Sequence, residues 1–228
     1  MKQQRDNKTA QKPAAAVAPG PLRILIADDH AIVRQGLRRI VSSGFGEAIV
    51  GEAGDAQAVL KAVREQNWDV LVLDITMPGR SGIDVLKDIK ALRPKLPVLI
   101  LSVGAEDQYG PRVLKAGAAG FIGKEKAPEE LIDAIKRVVA GGRYASPALL
   151  EKMAFDSAAD MKPHEILSDR EYEVMCMIAA GKKISDIAKT LHLGTNTVNT
   201  YRQRVLEKMG MKSNAELIRY CINNKLIP

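Results

Sequence analysis

Two acidic side chains, Asp28 and Asp29, stand together straight after the apolar run LRILIA, and a third, Asp74, closes the run DVLVLD. Ser102 closes VLILS, and Lys124 follows GFIG. Adjacent carboxylates repel, and the end of a buried strand is a costly place for them. Three carboxylates brought to one point can share a hard divalent cation, which takes oxygen ligands and favours a few carboxylates together with water. Mg2+ would neutralise the repulsion, and a phosphoryl group would supply further oxygens. A carboxylate that attacks phosphorus needs its charge masked and the transferring oxygens held. A metal, an ammonium and a hydroxyl do this together.

That chemistry requires the five residues to meet, and the surrounding pattern says how. From Leu22 to about Gly142, the runs LRILIA, EAIVGEA, DVLVLD, LPVLILS and AAGFIG read as strands. Helical periodicities lie between them. Ile32, Val33, Gly36, Leu37, Ile40 and Val41 share the first face; Ala56, Val59, Leu60 and Val63 the second; Val85, Leu86 and Ile89 the third. Val113, Leu114 and Gly117 mark a shorter fourth helix, and Leu131, Ile132, Ile135, Val138 and Val139 a fifth. Strands and helices that alternate in this way predict an α/β doubly wound, five-stranded parallel sheet. The strands are continuously apolar, as expected when both faces are covered. Ligands of such sheets bind outside the carboxyl ends of the strands, near the reversal of strand order. All five residues stand at such ends.

On these motifs (DD, then D-x-x-x-P, then S, then K), Leu22 to Gly142 resembles the receiver domain of two-component response regulators. The resemblance implies a flavodoxin-like fold with Asp74 as phosphoacceptor. It implies Mg2+ held by Asp28, Asp29, Asp74 and the backbone carbonyl of Thr76. Ser102 and Lys124 would contact the phosphoryl oxygens, and Pro78 fits the family's loop. Many receivers carry Tyr or His as a switch three residues before the lysine. Here that position is Phe121, which can swing inward but cannot hydrogen-bond. Phe121 reads equally as core filler.

After GGRYASP the character changes. The stretch 144–164 carries Pro147 and Pro163 around a short helical segment, ALLEKMAF, and reads as a linker. From Ile166 onward there are only four short helical patterns, with inward faces at Val174, Met175, Ile178 and Ala179; Ile184, Ile187, Ala188 and Leu191; Val198, Val205, Leu206 and Met209; and Leu217, Ile218, Cys221 and Ile222. Ser168, with Glu171 three residues on, forms a capping box, and Gly181 ends that helix. Charge divides unevenly: from Glu151 to Ala180 there are seven acids and three bases, from Gly181 to Pro228 nine bases and three acids. In TNTVNTYRQRVLEKMG the polar face presents Asn199, Thr200, Arg202, Gln203 and Arg204, suited to a major groove.

The motifs LSDREYEVMCMIAAGKKISDIAKTLHLGTNTVNTYRQRVLEKMG and AELIRYCINNKLI resemble the LuxR-type helix-turn-helix domain, and the whole chain resembles a NarL/FixJ-type transcriptional regulator. The resemblance implies base contacts from Asn199, Thr200 and Gln203. Backbone contacts fall to Tyr201, Arg202, Arg204 and Lys208, with Lys182 and Lys183 at phosphates. Asn199 and Tyr201 stand where many members carry Lys and His, which bears on target sequence. The last helix would serve core and dimer contact.

The expected organisation is a disordered tail over 1–20, a receiver over 21–143, a linker over 144–164 and a DNA-binding domain over 165–228. The net charge of +7 favours an anionic partner, and the 46% hydrophobic content supports folded cores. No run approaches the roughly 18 apolar residues of a membrane span. The two cysteines lack metal spacing and read as buried thiols in a reducing cytosol. The expected partners are a sensor histidine kinase, duplex promoter DNA, a second copy of the chain and RNA polymerase, with no membrane, in the cytoplasm. The expectation is a phosphoacceptor, not an enzyme. An aspartate-nucleophile phosphatase needs a second Asp where Thr76 stands. The other alternative is a regulator that works without phosphorylation.

Overall fold

The computed structural model describes residues 20–77, 80–103, 106–155, 162–224 and 226–227. The expected tail, but for Gly20, and Pro78 lie outside the described residues. The first part runs β1 (Arg23–Ala27), α1 (Ala31–Phe45), β2 (Ile49–Ala53), α2 (Ala56–Glu65), β3 (Val70–Asp74), α3 (Gly82–Leu92), β4 (Val98–Ser102), α4 (Glu106–Lys115), β5 (Gly120–Gly123) and α5 (Ala127–Val139). The strands form one sheet, ordered β2-β1-β3-β4-β5, with every pair parallel. Strand order reverses between β1 and β3, so Asp28 and Asp74 leave the sheet side by side.

Alternation along the strands divides two apolar layers. Ile24, Ile26, Val70, Val72, Leu99 and Leu101 meet Leu37 and Val41 of α1 and Leu131 and Ile135 of α5. Leu25, Leu71, Leu73, Ile100 and Phe121 meet Val59 and Val63 of α2, Val85, Leu86 and Ile89 of α3, and Val113 of α4. Each such side chain contributes about 1.5–3 kcal/mol when fully buried. Two expectations need correction. Strand β2 lies at the sheet edge, and its Ile49 is exposed, because only one neighbouring strand covers it. Ile32 is 85% exposed: the core stripe of α1 runs through Val33, Leu37, Ile40 and Val41, and Ile32 falls beside it. Gly117 lies past the end of α4 at φ +98°, a stop and not a face residue.

Trp68 precedes β3 at the amino end of the sheet. Its Nε1 donates to the carbonyl of Ala62 at 3.0 Å, its ring lies over Gly51, and Arg23 stacks on it at 5.4 Å.

The expected linker holds a docked helix, α6 (Pro147–Phe155). Leu149 is buried against Gly110 of α4, where an added Cβ would come within 2.5 Å of the Leu149 side chain. A 3-10 turn over Pro163–Ile166 leads into α7 (Asp169–Ala179), α8 (Ile184–Leu191), α9 (Thr195–Lys208) and α10 (Asn214–Asn223). Their core gathers Leu167, Tyr172, Met175, Ile187, Val198, Val205, Leu217 and Cys221. The capping box of α7 is present: Glu171 N donates to Ser168 Oγ at 3.3 Å, and Ser168 N donates to Glu171 Oε2 at 2.8 Å.

Candidate functional site

The ends of β1, β3, β4 and β5 bring the predicted residues to one edge. Asp28 and Asp74 are almost fully buried. Lys124, in the turn after β5, donates from Nζ to Asp28 Oδ2 at 2.5 Å and to Asp74 Oδ2 at 2.8 Å. The backbone N–H of Thr76 donates to Asp74 Oδ1 at 2.9 Å, so the loop after β3 orients that carboxylate. Gly82 lets the loop close: a Cβ there would lie 2.3 Å from the Cα of Ile75. Ser102 is buried and pairs in register with Gly123, one residue before Lys124. Phe121 is buried in the core and already points inward.

Burial pushes the Asp74 carboxyl above its ordinary value, and Asp28 adds to this; the pull of Lys124 and Thr76 the other way does not cancel it. For Lys124, burial alone would lower the pKa, but Asp74 and Asp28 outweigh it and the net shift is upward. The ammonium thus stays charged between two carboxylates.

Asp28, Asp29, His30 and Asp74 each offer a ligand atom, and these atoms all lie within 4.8 Å of one another. Asp29 Oδ1 is buried and accepts no hydrogen bond among the described residues. Its neighbour His30 Nδ1, at 2.9 Å, offsets its charge only when the imidazole is protonated. A buried carboxylate oxygen left in this state fits a hard cation. His30, whose side chain is 68% exposed, was absent from the sequence expectation.

The structure adds a feature that no sequence pattern announced. All eleven residues of α7 are buried, including Asp169, Arg170, Glu171 and Glu173. An amphipathic helix would expose those charges, but here the first domain covers them. Lys87 of α3 and Arg112 of α4 pair with Asp169 at 2.7 and 3.0 Å. Arg112 also donates to the carbonyls of His164 at 2.7 Å and Leu167 at 3.1 Å, and stacks on Tyr172 at 4.1 Å. Tyr109 of α4 packs into both cores and meets Tyr172 edge-on at 5.9 Å. Glu173 pairs with Arg170, yet burial and then the nearby charges of Asp74 and Asp169 hold its carboxyl above its ordinary value. The field of Asp74 therefore reaches α7.

Helix α9 leaves its polar face open: Asn199, Thr200, Gln203 and Arg204 are exposed, as are Lys182 and Lys183 ahead of α8. Tyr201 is half-buried against the core. Arg202 donates to Asn214 Oδ1 at 2.6 Å, and Lys208 reaches Glu171 Oε2 at 2.7 Å. Of α10, Leu217 and Cys221 are buried, while Ile222 is 57% exposed. Burial pushes the thiols up, Cys176 to about 12 and Cys221 to about 11.

Comparison with known proteins agrees with both halves. Residues 24–136 match the response regulator receiver domain, and residues 165–221 match the luxR family of bacterial regulatory proteins. The chain is 34% identical over 209 residues to the response regulator GacA of Pseudomonas viridiflava, covering 90% of this chain and 98% of that protein. It is 34% identical over 208 residues to the response regulator UvrY of Escherichia coli, covering 90% and 95%. Among solved structures, RcsB of Salmonella enterica serovar Typhimurium, bound to promoter DNA in the presence of phosphomimetic BeF3-, aligns with a TM-score of 0.60 at 28% identity, covering 88% of this chain and 98% of that one. Acidic pocket, parallel sheet, helix-turn-helix and these relatives agree: the chain belongs to the two-component response regulators with a LuxR-type domain, which are phosphorylation-controlled, DNA-binding transcription regulators.

Proposed function

We propose that Asp74 accepts a phosphoryl group from a sensor histidine kinase, and that this event controls how α9 meets duplex promoter DNA. The observation that carries the reading is Lys124 spanning Asp28 and Asp74 beside the orphaned oxygen of Asp29. The P–N bond of a phosphohistidine breaks as a P–O bond forms on Asp74, and the imidazole leaves after taking up a proton. Asp28, Asp29, Asp74 and the Thr76 carbonyl would hold Mg2+, which when bound masks charge on the incoming phosphoryl oxygens. Lys124 and the Ser102 hydroxyl hold those oxygens. Phe121 contributes by packing. The chain acts as a phosphoacceptor and not as an enzyme.

The domains follow as a receiver over 21–143, a linking segment over 144–164 and a DNA-binding domain over 165–228. Asn199, Thr200 and Gln203 read bases; Tyr201, Arg202, Arg204, Lys208, Lys182 and Lys183 meet the backbone. The open polar face of α9 and the promoter-bound RcsB structures support this assignment. A phosphoryl group adds about 1.5–2 negative charges, close to Glu173 and Asp169, and this loosens the hold on α7. Two copies then engage paired half-sites, with RNA polymerase as a further partner, in the cytoplasm. Among the described residues no helix is long and apolar enough to cross a membrane.

The test is labelling by acetyl phosphate with Mg2+. Wild-type chain should take up one phosphoryl group, and Asp74→Asn none. Undiminished labelling of Asp74→Asn would remove the assignment.

A further inference from the structure

Neighbouring residues of an extended strand point to opposite faces. Asp28 and Asp29 could not serve one cation if β1 simply ran on. The strand stops at Ala27, and the chain turns. Three hydrogen bonds hold that turn. Asp28 N donates to the Ala53 carbonyl at 3.2 Å, His30 N donates to Asp28 Oδ1 at 2.8 Å, and Arg34 Nη1 donates to the Asp28 carbonyl at 2.7 Å. Only the last grips the peptide that joins the two aspartates.

Arg34 lies in the first turns of α1, with its side chain 19% exposed. Glu52 of β2 steadies it, accepting from Arg34 Nε at 3.4 Å while Arg38 holds the other carboxylate oxygen at 3.1 Å. The guanidinium therefore sits with one arm on the aspartate peptide and the other on the neighbouring strand. Its charge also faces the doublet from behind, which eases the repulsion between two adjacent carboxylates.

We infer that Arg34 is the positioning residue of the metal-binding doublet: by gripping the Asp28 carbonyl it aims Asp28 and Asp29 at one cation, and Glu52 keeps it there. Arg34 touches no reacting atom and acts through the peptide. The inference rests on the magnesium reading above. Groups that orient metal ligands from behind commonly tune affinity as strongly as a ligand's own surroundings do. A plain surface ion pair at this place would contribute little to anything.

The experiment is calorimetric titration of Mg2+ into the full chain without phosphodonor, for wild type, Arg34→Gln, Arg34→Lys and Glu52→Gln. Arg34→Gln should weaken Mg2+ binding about tenfold or more, the usual range for loss of an outer partner. Arg34→Lys keeps a donor for the carbonyl and should lose less; Glu52→Gln should fall between wild type and Arg34→Gln. In acetyl phosphate labelling, the Mg2+ concentration for half-maximal rate should rise in parallel, with far less change in rate at saturating Mg2+. Mg2+ affinity that stays at the wild-type value in Arg34→Gln overturns the inference, even if the metal-free unfolding midpoint drops. Should Arg34→Gln fail to fold, wild-type affinity in both Arg34→Lys and Glu52→Gln overturns it equally. A wild-type chain that binds no Mg2+ overturns this inference and the magnesium reading together. Wild-type binding matched by the variants overturns this inference alone.

Discussion

Asp74 shows how a residue kept for chemistry strains its own fold. Burial raises its pKa despite Lys124, so ionisation works against folding in the metal-free chain. A raised carboxyl contributes stability that is fully present below its ordinary value of 3.8 and lost as pH rises through the raised one. Asn holds a neutral side chain at every pH and leaves Lys124 its Asp28 partner. In urea denaturation with a chelator, Asp74→Asn should be the more stable protein, by a gap that widens from about pH 4 to about pH 8. A constant gap would show that packing, and not ionisation, separates the two. The acids, the serine and the lysine of this pocket were legible in the sequence, because each closes an apolar run. Arg34 and His30 were not, because no spacing rule ties a helix arginine to a peptide carbonyl six residues back.

At the scale of elements, α7 and α4 carry opposite designs. Helix α7 is over-determined at its start: Ser168 and Glu171 cap each other, and Lys208 of α9 adds a third bond to Glu171. Ser168→Ala should cost about 1 kcal/mol, read as a lower denaturation midpoint. Glu171 is buried, which alone would raise its pKa, but the bonds from Lys208 and Ser168 win and lower it. Its contribution is present above 4.5 and is lost as pH falls through the lowered value. Helix α4 carries Pro111 in its interior, which removes one intrahelical donor, and Gly110, which Leu149 requires to be small. Pro111→Ala should therefore stiffen α4 and slow amide exchange along it. The capping box and the helix periodicities were readable from sequence. The complete burial of α7 was not, because its charged residues read as a solvated face until a second domain covers them.

Taken whole, the molecule joins two cores through a small charged contact centred on Arg112. Arg112→Ala removes three hydrogen bonds and a ring contact together, and truncating one partner of such a buried pair costs about 2–5 kcal/mol of docking energy. Small-angle scattering should show a larger radius of gyration, with Asp74 labelling intact. An unchanged radius would mean that Tyr109 and Lys87 suffice to dock α7. The receiver holds the DNA-binding half by α7 and leaves the polar face of α9 open. The two-domain plan was readable from the change in periodicity near residue 144, whereas the contact between the domains depends on partners 50 or more residues apart, such as Arg112 and His164. The lone tryptophan, Trp68, gives this arrangement a practical handle. Packed at the amino end of the sheet, remote from pocket and helix bundle alike, its fluorescence is a private thermometer for the sheet. Melting of the receiver can be followed by that one emission band while circular dichroism records the helices of both halves.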